Sequence, residues 1–280
     1  MVEAFTKYIS EIEGIDFDKD HEILFFRGVS NASYDLAPGI LFAKNVSESS
    51  SYHSLLLEYP EEFNTKDHLG TLAKMQHYGL PTRLLDVTTN VLMAAFFACE
   101  QNSNIDGKVT VFKVNKDEIL HHNSDRALML SCLPPLKENV KADIRTFCES
   151  NPGKITEQRI FGHPEMTKFL HEIRGEYPAF ETAIVGSDIL DCFFVQANKS
   201  NVRMKTQDGY FVIFGLDYNR GKQYLKRKTE KEIVISANEK QNMLKTLELM
   251  GVRSDTVYPD LERTALYLRS KKLGWKDLTE

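Results

Sequence analysis

The sequence is short of the residues that staple or anchor a chain. It has four cysteines in 280 residues, Cys99, Cys132, Cys148 and Cys192, all widely spaced. No CxxC and no Cys/His cluster points to zinc, and the apolar neighbours of three of them suit buried free thiols. No run approaches the ~18 apolar residues a membrane-spanning helix needs. Met1–Phe5 lacks the basic and apolar regions of a leader. The expectation is a cytoplasmic protein with no membrane partner. There is no P-loop, no Rossmann glycine motif, no HExxH and no nucleophile elbow. There is no internal repeat and no low-complexity linker. The formal net charge of −5 argues against a dedicated nucleic-acid binder. The charge is uneven, however: Lys199–Lys231 is strongly basic, either a phosphate-binding surface or a solvated face.

What the sequence does have is concentrated in His77–Asn90. Gly79 and Pro81 stop an apolar-periodic helix. Leu84-Leu85 reads as strand core. Asp86, Thr88, Thr89 and Asn90 then supply side-chain oxygens just before Val91–Cys99, which is apolar nearly all round and predicts a central helix. So many polar groups between two buried elements make either a site or a cap.

Elsewhere the pattern predicts a helix over 2–13, a strand over His21–Phe26 that stops at Arg27-Gly28, loop over 29–52 and a helix over 53–65. Asp67 is placed to N-cap the helix before Gly79. A strand is expected over 108–114, helices over 117–133 and 137–148, and either a strand or a short helix over 188–195. Strands follow over 204–214 and 232–235. Ser236–Glu239 has the capping-box pattern ahead of a helix ended by Gly251, and Pro259-Asp260 opens a last helix. The fold class is α+β, with mixed or antiparallel sheets flanked by helices. The whole chain, 1–280, reads as one domain with a mainly helical insertion at about 117–195.

Four stretches resemble the FRG domain family. Phe25-Phe26-Arg27-Gly28 is similar to the signature that names it. Gln76–Thr88 is similar to its longest motif, with Val87 in place of the usual tryptophan. Arg203–Phe211 and Val257-Tyr258-Pro259-Asp260-Leu261 are similar to its later elements. The pattern also resembles an ADP-ribosyltransferase core. That resemblance implies NAD as substrate, an arginine ending the first core strand on the NAD phosphates, a Ser/Thr-rich strand and helix, and a glutamate opening a late strand. Here Gln207 takes the glutamate's place, and a glutamine holds a hydroxyl but cannot act as an anion or base. The implied function is an NAD-dependent ADP-ribosyltransferase of bacterial toxin or phage-defence type. An RNA or DNA acceptor and an antitoxin or regulatory protein are the expected partners. The alternative is a non-catalytic nucleotide- or nucleic-acid-binding module.

The candidate catalytic residues are Arg27, Asp86 and Gln207. The candidate NAD-binding residues are Arg27, Gly28, His77, Tyr78, Thr82, Arg83 and Thr88. Arg27 is either a bidentate phosphate ligand or half of an ion pair with Asp86. Gly28 allows close approach of a ligand. His77 is a hydroxyl donor, an acid/base or a helix-end histidine, and Tyr78 is a stacking ring or a core residue. Arg83 is a phosphate ligand or a salt-bridge partner. Asp86 orients Arg27 or His77, acts as an acid/base, or caps the next helix. Thr82 and Thr88 belong to the pocket wall, with capping as the other use of Thr88.

Overall fold

The structure, a computed structural model, describes residues 2–63, 66–182, 184–197, 208–258 and 265. It is built on one seven-stranded mixed sheet flanked by helices, an α+β architecture. Helix α1 spans Val2–Glu13 and strand β1 spans Glu22–Val29. Helix α2 (Glu48–Glu58) follows, starting where the pattern predicted loop because Ser47 caps it through Ser50. Helix α3 (His68–His77) is capped by Asp67, as expected, and ends before Gly79 at a φ of 84°. Strand β2 is Leu84–Thr88 and helix α4 is Val91–Cys99. Asp86 and Thr88 are therefore strand residues. The cap of α4 is Asn90, whose Oδ1 accepts from the amides of Leu92 and Met93.

After β3 (Gly107–Asn115) the chain makes a one-turn helix and β4 (Leu120–His121). The single helix expected over 117–133 is thus broken, and only α5 (Asp125–Ser131) is α-helical. Helices α6 (Glu138–Ser150), α7 (Glu157–Phe161), α8 (Pro164–Glu176) and α9 (Gly186–Leu190) follow. Then come β5 (Cys192–Gln196) and β6 (Gly209–Phe214). The 188–195 stretch, which reads as strand or helix, is both in turn. Helix α10 (Tyr218–Lys228) has no counterpart in the expectations, and Asp217 caps it. Strand β7 (Thr229–Ile235) and α11 (Ala237–Leu249) match the reading, including the Ser236/Glu239 capping box. A final described turn of helix covers Ser254–Val257, and the helix expected after Pro259 lies outside the described residues.

Strand order is β4-β5-β6-β2-β1-β3-β7, with only β4 and β5 parallel. The central join is weak. Strands β1 and β3 pair along their whole length, but β1 and β2 share one register pair, Phe26 with Thr88. Packing follows this split. On one face, Leu84, Phe211 and Ile213 join a core with α3, α5, α6 and α8. On the same face, Leu24, Phe26, Val109, Val111 and Ile233 join a second core with α1, α4 and α11. The boundary between them falls between β1 and β2. The other face is continuous, from Phe25 and Phe112 through Leu85 and Val212 to Phe194, and is covered by Leu225 of α10.

Helix α4 sits on the sheet backbone to backbone. A Cβ on Gly28 of β1 would lie 1.9 Å from the Ala94 carbonyl oxygen, and one on Gly107 of β3 would lie 2.0 Å from that of Ala98. Ala94 and Ala98 are one helical turn apart and have small side chains, so the helix docks through them. The side of Gly28 on which a Cβ would stand is filled by the helix, while its backbone also lines the cavity described below. Gly28→Ala should therefore destabilise the fold by at least about 1–3 kcal/mol, measured by urea unfolding. At Gly153 an added Cβ meets nothing within 4 Å, and its alanine variant should stay within about 0.5 kcal/mol of wild type.

Candidate functional site

A cavity of about 460 Å³ opens at the split between β1 and β2. Its walls are the end of β1 (Phe26–Ser30), the end of β2 (Asp86–Thr88) and the start of β6 (Gly209–Phe211). Helix α4 contributes Phe97 and the residues just past its end, Glu100 and Gln101, while Tyr34 and Tyr258 add two more rings. The volume is in the range of small-molecule sites, which use a few polar groups on a largely apolar wall.

Arg27 is the cation among the described residues that line this cavity. Register partners share a face, so Phe26 and Thr88 lie on one side of the sheet with Gly28 and Asp86, and alternation sends Arg27 to the other. This is why Arg27 and Asp86 form no ion pair. The Arg27 Nη1 instead donates 2.8 Å to the backbone carbonyl of Asp86, across the gap where ladder hydrogen bonds are missing. Its Nε is cut off from solvent and has no hydrogen-bond partner among the described residues. Burial pulls the Arg27 pKa down and the nearby Asp86 charge offsets only part of that, and among the described residues the guanidinium forms no ion pair.

Arg83 shows the opposite case. It is fully buried, with Nε 3.0 Å from Glu48 Oε1, Nη2 on Glu48 Oε2 and Nη1 3.0 Å from the Phe214 carbonyl. Lys141 adds a second cation, 2.9 Å from Glu48 Oε2. Burial pushes the Glu48 carboxyl up, but Arg83 and Lys141 outweigh it and hold it below the usual range. Arg83 is placed as a structural ion pair and does not line the cavity.

The other candidates divide. Asp86 is exposed, and its Oδ2 accepts from Gln76 Nε2 at 2.7 Å. Gln76 Oε1 accepts in turn from the Thr82 hydroxyl, which also receives the Leu84 amide at 3.1 Å. Thr82 therefore stands behind the wall rather than in it. Thr88 lines the cavity, and its hydroxyl accepts from the Asn90 amide at 2.9 Å. His77 and Tyr78, edge to face with centroids 5.0 Å apart, lie at the end of α3 and do not line it, and Tyr78 is exposed. Gln207 and Arg203 lie outside the described residues. Gly209, which does line the cavity, follows Asp208, a turn residue at a φ of 45°.

Sequence reasoning missed Glu100, Phe97, Tyr210 and Tyr258. Glu100 ends α4 in the cavity wall, and its Oε1 accepts from the Tyr258 hydroxyl at 2.6 Å. Nothing local marks a glutamate at the end of an apolar helix. Only the docking of α4 on Gly28 and Gly107 brings it opposite β1. The basic stretch also reads differently. Arg220, Lys222, Lys228 and Lys231 are each tied to an acid, Asp191, Asp35, Glu118 and Glu11 respectively. These cations belong to an ion-paired face, and Lys199–Lys205 lie outside the described residues.

Comparison with known proteins bears on most of this cavity. The family model for the FRG domain matches residues 22–107, which supports an FRG-family assignment for that segment. It covers Phe25–Gly28 and Gln76–Thr88, hence Arg27, Asp86, Thr88, α4 and Glu100. No curated protein and no solved structure matches the chain.

The two arginines make separable predictions. Arg83→Met leaves Glu48 buried against Lys141 alone and should cost about 3–5 kcal/mol. Arg27→Met removes a charge with no counter-ion and should leave stability within about 1 kcal/mol, or raise it. Urea titrations of both variants check this. The Glu48 contribution has its own pH signature. A carboxyl held below its unfolded value of 4.5 stabilises the fold above that pH, and the contribution is lost as pH falls through the folded pKa. Glu48→Gln should flatten this acid limb of stability against pH.

Proposed function

We propose that the cavity binds a nucleotide and that the protein is an NAD-dependent ADP-ribosyltransferase of the bacterial toxin or phage-defence kind. One observation carries the reading: Arg27 stands in the wall of a ligand-sized cavity and, among the described residues, its guanidinium has no ion-pair partner and its Nε no hydrogen-bond partner. A diphosphate is the natural complement of such a fork, because two oxygens match two N–H groups and the charges neutralise each other. The rings of Tyr34, Phe97, Tyr210 and Tyr258 offer faces for a base or a nicotinamide. Asp86 and Glu100 offer carboxylate acceptors for ribose hydroxyls.

NAD would supply an ADP-ribosyl group with nicotinamide as the leaving group. The chain's part is to position it and to set charge where charge develops. A glutamine such as Gln207 cannot supply that negative charge, whereas Glu100, held by Tyr258, is a carboxylate in the cavity wall. The acceptor on this reading is RNA, DNA or protein, and an antitoxin or regulatory protein would restrain the activity.

Titration calorimetry with NAD and with ADP-ribose should show binding that Arg27→Ala weakens by about 1.5–3 kcal/mol, the worth of a hydrogen bond to a charged group. Nicotinamide release, followed by chromatography with host RNA, DNA and protein present, should fall in Glu100→Gln while NAD binding is retained. Binding without any release would make the protein a non-catalytic nucleotide module. A folded protein that binds neither compound would end the nucleotide reading altogether.

A further inference from the structure

The helical side of the molecule holds a second constellation, about which the cavity says nothing. His68 opens α3, Cys132 ends α5, and Glu172 and Glu176 lie one turn apart on α8. His68 and Cys132 are buried, and Glu176 is nearly so, with its side chain 10% exposed. Their donor atoms converge. His68 Nε2 is 3.6 Å from Glu172 Oε1 and 3.7 Å from Glu176 Oε2, and Cys132 Sγ is 3.8 Å from that same oxygen. The ligand atoms of His68, Cys132 and Glu176 all lie within 4.8 Å of one another.

We propose that these four side chains bind one divalent metal ion of the zinc class. Zinc takes nitrogen and oxygen at about 2.0–2.2 Å and sulfur at about 2.3 Å, and a tetrahedron on those bonds has edges of about 3.3–3.5 Å. The separations of 3.6, 3.7 and 3.8 Å exceed these by a few tenths of an ångström, the His68–Cys132–Glu176 donors all lie within 4.8 Å of one another, and Glu172 joins them through His68; rotation of the side chains would draw the set together. A set of one thiol, one imidazole and two carboxylates selects zinc-like ions over calcium or magnesium, which prefer oxygen alone. The imidazole is already oriented from behind, with His68 Nδ1 2.5 Å from the buried Tyr52 hydroxyl. A hydrogen bond to the non-ligating ring nitrogen is the usual support of a metal-bound histidine. No lysine or arginine among the described residues forms an ion pair with Glu172 or Glu176, so a bound cation is what would balance two clustered carboxylates.

With four protein donors, three of them buried or nearly so and only Glu172 at the rim, the site has the make-up of a structural zinc site. It ties the first turn of α3 to α5 and α8. The far end of α3 carries Gln76, which holds Asp86 at the cavity. The metal thus fixes the helix that supports one cavity wall, and it does so whether or not the cavity binds a nucleotide. The spacing 68, 132, 172 and 176 has no signature in the sequence, because three helices must pack before the donors meet.

The test uses the full chain purified without a polyhistidine tag. Mass spectrometric metal analysis should find one zinc per chain. Chelation should lower the Tm and zinc should restore it. The stripped protein should bind one equivalent of Co²⁺ with a thiolate-to-cobalt charge-transfer band and tetrahedral visible bands. Cys132→Ser should abolish that charge-transfer band, and Cys148→Ser should leave it unchanged. Since Cys132 is fully buried and its variant can fail to fold, Glu172→Gln, whose side chain is 35% exposed, is the second variant. It should weaken Co²⁺ affinity at least tenfold without changing the Tm of the metal-free protein. No stoichiometric Zn²⁺ or Co²⁺ binding by folded wild-type protein overturns the proposal. So does Co²⁺ binding that lacks the thiolate band, or that is unaffected by Glu172→Gln.

Discussion

Everything at the cavity depends on how closely α4 lies on the sheet. The contact is made by backbone, through Gly28 and Gly107 on one side and the turn Ala94–Ala98 on the other. A helix seated this deep has its end fixed in position as well as its axis. Phe97, Glu100 and Gln101 therefore reach the cavity wall at defined places. Lys240 of α11 reinforces the seat from behind. It is buried and donates to the carbonyls of Ser30, Gln101 and Asn102, at 2.7, 3.0 and 3.0 Å. One amine so satisfies both the end of β1 and the chain leaving α4, groups that would otherwise be buried without partners.

The split between β1 and β2 is the complement of that contact. Two cores on the same face of the sheet meet at the pair of strands with a single register partner, and a sheet that does not close there leaves backbone groups to be satisfied otherwise. Arg27 does part of this through the Asp86 carbonyl. The rest of its guanidinium is what distinguishes it from Arg83, which belongs to the Gln76–Thr88 stretch. Both are drawn down in pKa by burial, but Arg83 is over-compensated by Glu48 whereas Arg27 is only partly compensated by Asp86. A charge held in a partly closed cavity without a counter-ion is a cost that a binding site recovers when an anion arrives.

Sequence alone settled the parts of this protein that are local. Asp67, Ser236 and Gly79 announce helix ends because capping and positive φ are decided within one turn. The apolar run Val91–Cys99 announces a central helix, and Phe25–Gly28 with Gln76–Thr88 mark the segment that matches the FRG domain. Arg27, Asp86 and Thr88 were legible as site residues for that reason, and they do share a cavity. Tertiary structure decided which polar groups face a ligand and which only hold the frame. Arg83 and Thr82 have the same residue types as site groups, and only their partners Glu48 and Gln76, supplied from other helices, make them structural. Glu100 and the His68–Cys132–Glu176 cluster carry no local mark at all. Their chemistry depends on the approach of side chains far apart in sequence, which is fixed by helix docking and by nothing within a few residues of any one of them.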